Sequence, residues 1–208
     1  MLNKQLILEV ENYVQSLLLK ALPKHFVYHN YTHAQNVVNA TQLIANEENI
    51  SEEELNLVLI SAWFHDTGFI KSIENHEAES IKIAENFLLN TNVKKETIQQ
   101  IAHIILATKM PQTPKNKLEQ IMCDADLYHL GTDSFNVKSN ILRKEWELTN
   151  VITFTEEEWL KNNVLFLKNH SFFTNYAKHN LALKKQQNLQ QAKQDLKAYI
   201  AKKQKNKC

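Results

Sequence analysis

The chain has 208 residues, of which 43% are hydrophobic, so it is long enough for one domain with a core. Its net charge of +1 lacks the basic excess that favours a nucleic-acid or acidic-membrane partner. Two glycines and three prolines are too few for the turns of a sheet protein, which predicts an all-α fold, organised as a single helical domain over residues 1–208. Cys123 and Cys208 form neither a disulfide framework nor a CxxC site, and without a signal peptide or an apolar run of about 18 residues we expect a cytoplasmic protein.

Hydrophobic periodicity predicts helices along almost the whole chain. Pro23 ends the first helix, and Ser51 with Glu54 forms a capping box that begins a central helix ending at residue 64. Thr155 with Glu158 caps the helix predicted from residue 156. Residues 110–114 contain two prolines and are the clearest loop. The other predicted helices cover, in chain order, residues 2–22, 33–47, 75–90, 94–109, 118–130, 133–148 and 156–168, and a long polar helix follows the Phe172-Phe173 pair.

Positive charge is concentrated at the end of the chain. Residues 184–208 carry eight lysines against Asp195 alone. Such a helix could contact nucleic acid or an acidic lipid surface, but a solvated helix face is the more ordinary explanation and the one we favour.

The central helix is apolar at almost every position over residues 55–64, which predicts that it is buried. It ends in the adjacent pair His65 and Asp66. A buried aspartate needs a partner, and a cation is the first candidate, with a donor and acceptor pair at the helix end as the alternative. Gly68 and Gly131 each follow a helix that carries such residues, and we expect the chain to turn away from a bound ion there.

Four further histidines are candidates for the same chemistry. His29 and His33 are four residues apart, so they share one helix face or bracket a turn. His76 and His103 lie on successive predicted helices, beside apolar residues at core spacing. Surface or hydrogen-bonded core histidines explain each pair equally simply, and a second metal position is the alternative for His76 and His103.

Aspartate is concentrated in the same region. Three of the five aspartates in the chain are Asp66, Asp124 and Asp126. Aspartate is a poor mid-helix residue, and imidazole with carboxylate is a common ligand combination for divalent metals. We predict Asp126 as a metal ligand and Asp124 as a capping or orienting residue.

The order His, His-Asp, Asp resembles the HD-domain superfamily of metal-dependent phosphohydrolases. Residues 28–33, Tyr-His-Asn-Tyr-Thr-His, are similar to the YHNxxH signature of its cyclic-nucleotide phosphodiesterase branch, and residues 125–127 are similar to the segment with that branch's last aspartate. The resemblance covers about residues 26–131, which leaves helices over 133–205 outside the motif core. It implies a helical HD-domain bundle. The glutamine and aromatic pair that holds the purine in the phosphodiesterase branch has no counterpart here, so the cyclic-nucleotide substrate does not carry over.

Residue by residue, the resemblance implies a metal centre that holds one or two divalent ions (Mn, Mg, Zn, Fe or Co). The ligands of the tighter ion would be His33, His65, Asp66 and Asp126. Asp66 would bridge to a second ion held by His76 and His103, and would be catalytic together with His29, which would protonate the leaving oxygen. Asn30 and Lys109 would contact substrate, although a helix cap and a surface cation explain them as well.

The expected activity is hydrolysis of a phosphate ester of a nucleotide or another small phosphorylated metabolite by metal-activated water. The alternatives are a non-catalytic regulatory HD module that binds a nucleotide or metal, and an HD-type di-iron oxygenase. The expected partner is the small phosphorylated substrate. We expect no nucleic acid and no membrane, and the sequence leaves a homodimer open.

Overall fold

A computed structural model describes residues 2–205, and these residues are helical with no strand, which confirms the all-α prediction. Cys208 lies outside the described residues. The α-helices are α1 Lys4–Ala21, α2 Tyr31–Glu47, α3 Glu52–Phe64, α4 His76–Leu88, α5 Lys95–Leu106, α6 Lys117–Asp126, α7 Phe135–Leu148, α8 Glu156–Asn169, α9 Asn175–Asn180 and α10 Ala182–Lys205, and single turns of 3-10 helix span Thr67–Ile70 and Tyr128–Gly131.

The chain divides into two compact units. The first contains the residues up to Lys24, together with His29–Leu127 and Phe173–Tyr176. Helix α3 is its centre and contacts α1, α2, α5 and α6. Every residue of α3 from Asn56 to Phe64 is buried, which confirms the predicted buried helix.

The second unit contains His25–Tyr28, Tyr128–Phe172 and the residues from Ala177 onward. Helix α10 packs there against α8 and the Tyr128–Gly131 turn. The single domain predicted over residues 1–208 stays a prediction. No helix within residues 2–205 combines the length and hydropathy needed to cross a bilayer.

Helix ends follow local hydrogen bonding, and several differ from prediction. Both predicted capping boxes are present, at Ser51 before α3 and at Thr155 before α8. Helix α6 ends at Asp126, four residues earlier than predicted, and a 3-10 turn follows. The predicted long C-terminal helix is interrupted at Leu181, which is buried between α9 and α10.

Gly68 and Gly131 are required by close packing and not by the turn that the sequence suggested. Neither glycine has a positive φ. A Cβ on Gly68 would lie 1.9 Å from the carbonyl oxygen of His76, and one on Gly131 would lie 2.5 Å from Cβ of Leu181. The 3-10 turn after Asp66 therefore lies directly against the first residues of α4.

Candidate metal centre

Four of the predicted ligands lie together in the first unit. His33 is in the first turn of α2, His65 and Asp66 follow α3 directly, and Asp126 is the last residue of α6. The Nε2 atoms of His33 and His65 lie 3.2 and 3.1 Å from Oδ2 of Asp66. They lie 3.4 and 3.6 Å from Oδ1 of Asp126. One donor atom from each of His33, His65 and Asp66 lies within 4.8 Å of the others, so α2, α3 and α6 bring these side chains to one point.

Asn30 sets the start of α2 and hence the position of His33. Its side-chain oxygen accepts a hydrogen bond of 3.2 Å from the backbone N–H of His33, which is the usual N-cap interaction. The helix consequently begins at Tyr31 and not at the predicted residue 33. The role of Asn30 as a substrate contact stays a prediction.

His65 is oriented so that Nε2 faces the cluster. Its Nδ1 donates to the carbonyl oxygen of Ala62 at 2.8 Å, and a backbone carbonyl commonly receives the second nitrogen of a metal-binding histidine. Nε2 of His65 and Oδ2 of Asp66 are buried and, although 3.1 Å apart, are not aligned as a hydrogen bond. Buried polar atoms rarely lack partners, and a cation at the point where these two atoms converge would satisfy both. The donor set therefore fits a divalent metal.

Contacts between the imidazoles and carboxylates shift their pKa values in opposite directions. Burial opposes the charged form of each group, but Asp66 and Asp126 outweigh it and raise the pKa of His65 well above its usual value and that of His33 as well. Burial also opposes ionisation of Asp66, but His65 and His33 lower the pKa of that carboxyl well below its usual range, and the pKa of Asp126 moves in the same direction. The cluster thus stabilises positive charge in the interior, as a cation site must.

The second oxygen of Asp66 faces a different group. Its Oδ1 lies 3.8 Å from Nε2 of His76, the first residue of α4. His76 donates from Nδ1 to the carbonyl oxygen of Ile73 at 2.9 Å, so Nε2 is again the nitrogen directed at a carboxylate. The two oxygens of Asp66 therefore face two sets of donors, which is the arrangement expected of a bridging carboxylate.

Phe69 stacks on two histidines beside the cluster, and its role was not predicted from the sequence. Its ring stacks on His76 with a centroid distance of 4.0 Å and on His29 with a distance of 4.3 Å. The edge of His29 also meets His33 at 5.7 Å. His29 is half-buried and is held beside the proposed ligands by aromatic contact. An aromatic residue three positions after the His-Asp pair was the available signal.

Glu77 is the second residue that the sequence analysis missed. It is buried, and its Oε1 lies 3.5 Å from Nε2 of His76. An acidic residue in the first turn of a helix ordinarily interacts with the helix dipole at the surface, so the sequence offered only its adjacency to His76 as a signal.

His103 and Lys109 are not joined to the cluster. The side chain of His103 is exposed on α5 and makes no hydrogen bond, ion pair or ring contact with the other described residues. Lys109 is exposed just after α5. Their predicted roles as metal ligand and substrate contact stay predictions.

Asp124 anchors another segment of the chain. Its carboxylate accepts hydrogen bonds from the backbone N–H of Phe173 at 3.0 Å, from the N–H of Thr174 at 2.8 Å and from the Thr174 hydroxyl at 2.7 Å. The side chain is fully buried. Asp124 thus holds residues 173 and 174 against α6, two residues before Asp126.

Comparisons with known proteins concern the same part of the chain. The family model of the HD domain matches residues 30–131, just under half of the chain, so this stretch is similar to a domain family that binds divalent metals. The match contains all four clustered side chains, and also His76 and Glu77. No curated protein matches the chain.

Among solved structures, the chain is similar to a crystal structure of a Lactobacillus plantarum protein determined by Northeast Structural Genomics. The two are 18% identical, with a TM-score of 0.70 over 97% of this chain and 100% of that chain. At this identity the similarity concerns the fold.

Proposed function

We propose that the chain is a metal-dependent phosphohydrolase that hydrolyses a phosphate ester of a nucleotide or another small phosphorylated metabolite. One observation carries the proposal: two imidazoles and two carboxylates from α2, α6 and the residues directly after α3 lie together, and Nε2 of His65 and Oδ2 of Asp66 are buried there without a hydrogen bond. The match to the HD domain, which suggests a metal-dependent hydrolase superfamily, supports the same interpretation.

The ligands of a divalent cation would be His33, His65, Asp66 and Asp126. When bound, such an ion lowers the pKa of a coordinated water toward neutrality and offsets charge on the phosphoryl oxygens. Asp66 would hold its two oxygens toward two metal positions. The backbone carbonyl of Ala62 keeps His65 in the tautomer that presents Nε2.

His29 is proposed to protonate the leaving oxygen of the ester. Its ring lies against Phe69 and next to His33, so it is beside the proposed ligands. An imidazole exchanges protons near neutral pH and suits general acid catalysis. Asn30 and Lys109 are the proposed substrate contacts, and Lys109 supplies the positive charge that a phosphate group requires.

The similarity of residues 28–33 to the phosphodiesterase signature supports a phosphodiester as well as a phosphomonoester substrate. We propose both classes for the test below. A cytoplasmic location is part of the same proposal, because nucleotides and phosphorylated metabolites are its expected substrates.

A substrate screen tests the proposal. Chelator-treated protein is reconstituted separately with Mn²⁺, Mg²⁺, Co²⁺, Zn²⁺ and Fe²⁺ and incubated with phosphomonoesters, cyclic nucleotides and dinucleotides, with product release followed by chromatography and phosphate assay. We expect turnover of at least one ester that depends on added metal and is lost in Asp66→Ala. Absence of turnover with every metal, combined with dioxygen consumption by the Fe²⁺ protein, would identify an oxygenase instead. Absence of both, with tight nucleotide binding, would identify a regulatory module.

A further inference from the structure

Glu77 is a buried acid without a satisfactory partner. Glu77 is 6% exposed to solvent. Oε2 is buried with no hydrogen-bond partner among the described residues, and Oε1 lies 3.5 Å from Nε2 of His76. Within residues 2–205 no lysine or arginine pairs with it. Burying a carboxylate in this way is unfavourable unless a positive charge balances it.

The neighbours of Glu77 are themselves electron-pair donors. His76 uses its Nδ1–H on the carbonyl oxygen of Ile73, which directs Nε2 toward Oε1 of Glu77 at 3.5 Å and toward Oδ1 of Asp66 at 3.8 Å. Nε2 of His76 thus lies within 3.8 Å of one oxygen from each of two carboxylates. A cation bound by Nε2 of His76 would balance the negative charge of both carboxylates.

We propose that Glu77 supplies an oxygen ligand to a second divalent cation, together with Nε2 of His76 and Oδ1 of Asp66. Ligand atoms about 2.1 Å from one ion lie roughly 3 to 4 Å from each other, and both measured separations from Nε2 of His76 fall within that interval. This inference rests on the proposed metal-dependent function and assigns to Glu77 the place that the sequence analysis gave to His103.

The chemistry of the three donors indicates which ions the second position prefers. Two carboxylates and one imidazole favour Mn²⁺, Mg²⁺ or Fe²⁺, because these ions prefer oxygen donors more than Zn²⁺ does. The first position, with two imidazoles and two carboxylates, has the more nitrogen-rich set. A protein with two different ions is therefore an expected outcome of mixed-metal reconstitution.

The elements that carry these donors are held rigidly together. The N–H of Gly68 donates to the hydroxyl of Ser80 on α4 at 2.8 Å. The ring of Phe69 stacks on His76 with an angle of 14° between the planes. The turn that follows Asp66 and the start of α4 are thus fixed to each other, so the second position lies on secondary structure that needs little rearrangement to accept an ion.

Mn²⁺ binding tests the inference with a readout that does not depend on turnover. Equilibrium dialysis and electron paramagnetic resonance are applied to the wild-type chain, to Glu77→Gln and to the control His103→Ala. We expect two Mn²⁺ ions with a spin-coupled spectrum in the wild type and in His103→Ala. In Glu77→Gln we expect one tightly bound ion, an uncoupled spectrum and at least tenfold weaker binding of the second.

Three results would overturn the inference: a wild-type chain that binds a single Mn²⁺ at saturation, a Glu77→Gln variant that keeps both ions at wild-type affinity, or loss of the second ion from His103→Ala alone. Circular dichroism verifies folding of each variant. If Glu77→Gln does not fold, Glu77→Asp takes its place, because the shortened carboxylate should also weaken the second ion at least tenfold, and unchanged affinity there overturns the inference.

The result of this Mn²⁺ experiment can be distinguished from the result of the test of the proposed function. Two ions in the wild type and one in Glu77→Gln support the ligand assignment even if no phosphate ester is hydrolysed. Metal-dependent ester hydrolysis by a chain that binds one ion would support the proposed function and contradict this inference.

Discussion

Replacing Gly68 by alanine should separate the turn after Asp66 from helix α4. The added Cβ would lie 1.9 Å from the carbonyl oxygen of His76 and 2.7 Å from the backbone nitrogen of Ser80. An ordinary contact requires at least about 3 Å, so the two backbones must move apart by about 1 Å, and neither obstacle is a flexible side chain. Overpacking of this kind costs about 1–3 kcal/mol, and we place Gly68→Ala at the upper end.

One smaller effect of opposite sign sets the net value. Because Gly68 has no positive φ, alanine suits its backbone and would by itself stabilise the fold by about 0.4–1 kcal/mol through the unfolded state. The expected net loss is therefore about 2 kcal/mol in the free energy of unfolding. With a urea dependence of about 2 kcal/mol/M, the midpoint should fall by about 1 M.

Urea unfolding monitored by circular dichroism measures this loss, with Gly131→Ala as the matched control. A Cβ on Gly131 would meet Cβ of Leu181 at 2.5 Å, in the second unit, so that variant should also lose stability. Only Gly68→Ala should displace His76 and weaken the binding of a second Mn²⁺. A Gly68→Ala midpoint equal to or above that of the wild type would refute the packing argument.

Three further predictions concern other residues. Asp124→Ala should lower the free energy of unfolding by about 3–5 kcal/mol, because buried donors lose a charged acceptor, whereas Thr174→Val should lower it by only about 1 kcal/mol, as urea unfolding will show. Burial, together with the charge of Lys185, lowers the pKa of His170 to about 4, below the value near 6.5 of an unfolded chain. The free energy of unfolding should therefore have its full value above pH 6.5 and fall by about 3 kcal/mol as the pH drops to 4. His170→Phe should remove that part of the pH dependence. His29→Ala should keep its metal and lose rate mainly on esters with poor leaving groups, as steady-state kinetics on activated and natural esters will show.

Each of these predictions has a result that contradicts it. Equal losses in Asp124→Ala and Thr174→Val would mean that the carboxylate is not the anchor. A pH profile of His170→Phe that matches the wild type would remove His170 as the cause of acid destabilisation. Equal rate losses of His29→Ala on both kinds of ester would argue against His29 as the proton donor.

The helical fold was predictable because its signals are local. Apolar spacing, Pro23 and the capping boxes at Ser51 and Thr155 each act within one or two turns, and the structure reproduces them. The end of α6 and the interruption at Leu181 depend on contacts between segments far apart in the sequence. Helix propensity over a short stretch of sequence contains no information about those contacts.

The candidate ligands were accessible to sequence reasoning because aspartate and histidine are unusual beside a fully apolar helix. Glu77 was not, because glutamate in the first turn of a helix is ordinary. The position of His103 was predictable in principle: it follows the buried Ile101 by two residues, which places it about 200° around a helix from that side chain. The same periodicity that identifies the core face of α5 therefore turns His103 toward solvent.

Mn²⁺ titration of chelator-treated protein by calorimetry, with wild type and Asp66→Ala compared side by side, tests the central claim most directly. We predict stoichiometric Mn²⁺ binding by the wild type and loss of that binding in Asp66→Ala, with helical content retained. The reason is that Asp66 offers an oxygen to both proposed metal positions. Stoichiometric binding by Asp66→Ala at wild-type affinity would contradict the assignment of the metal centre.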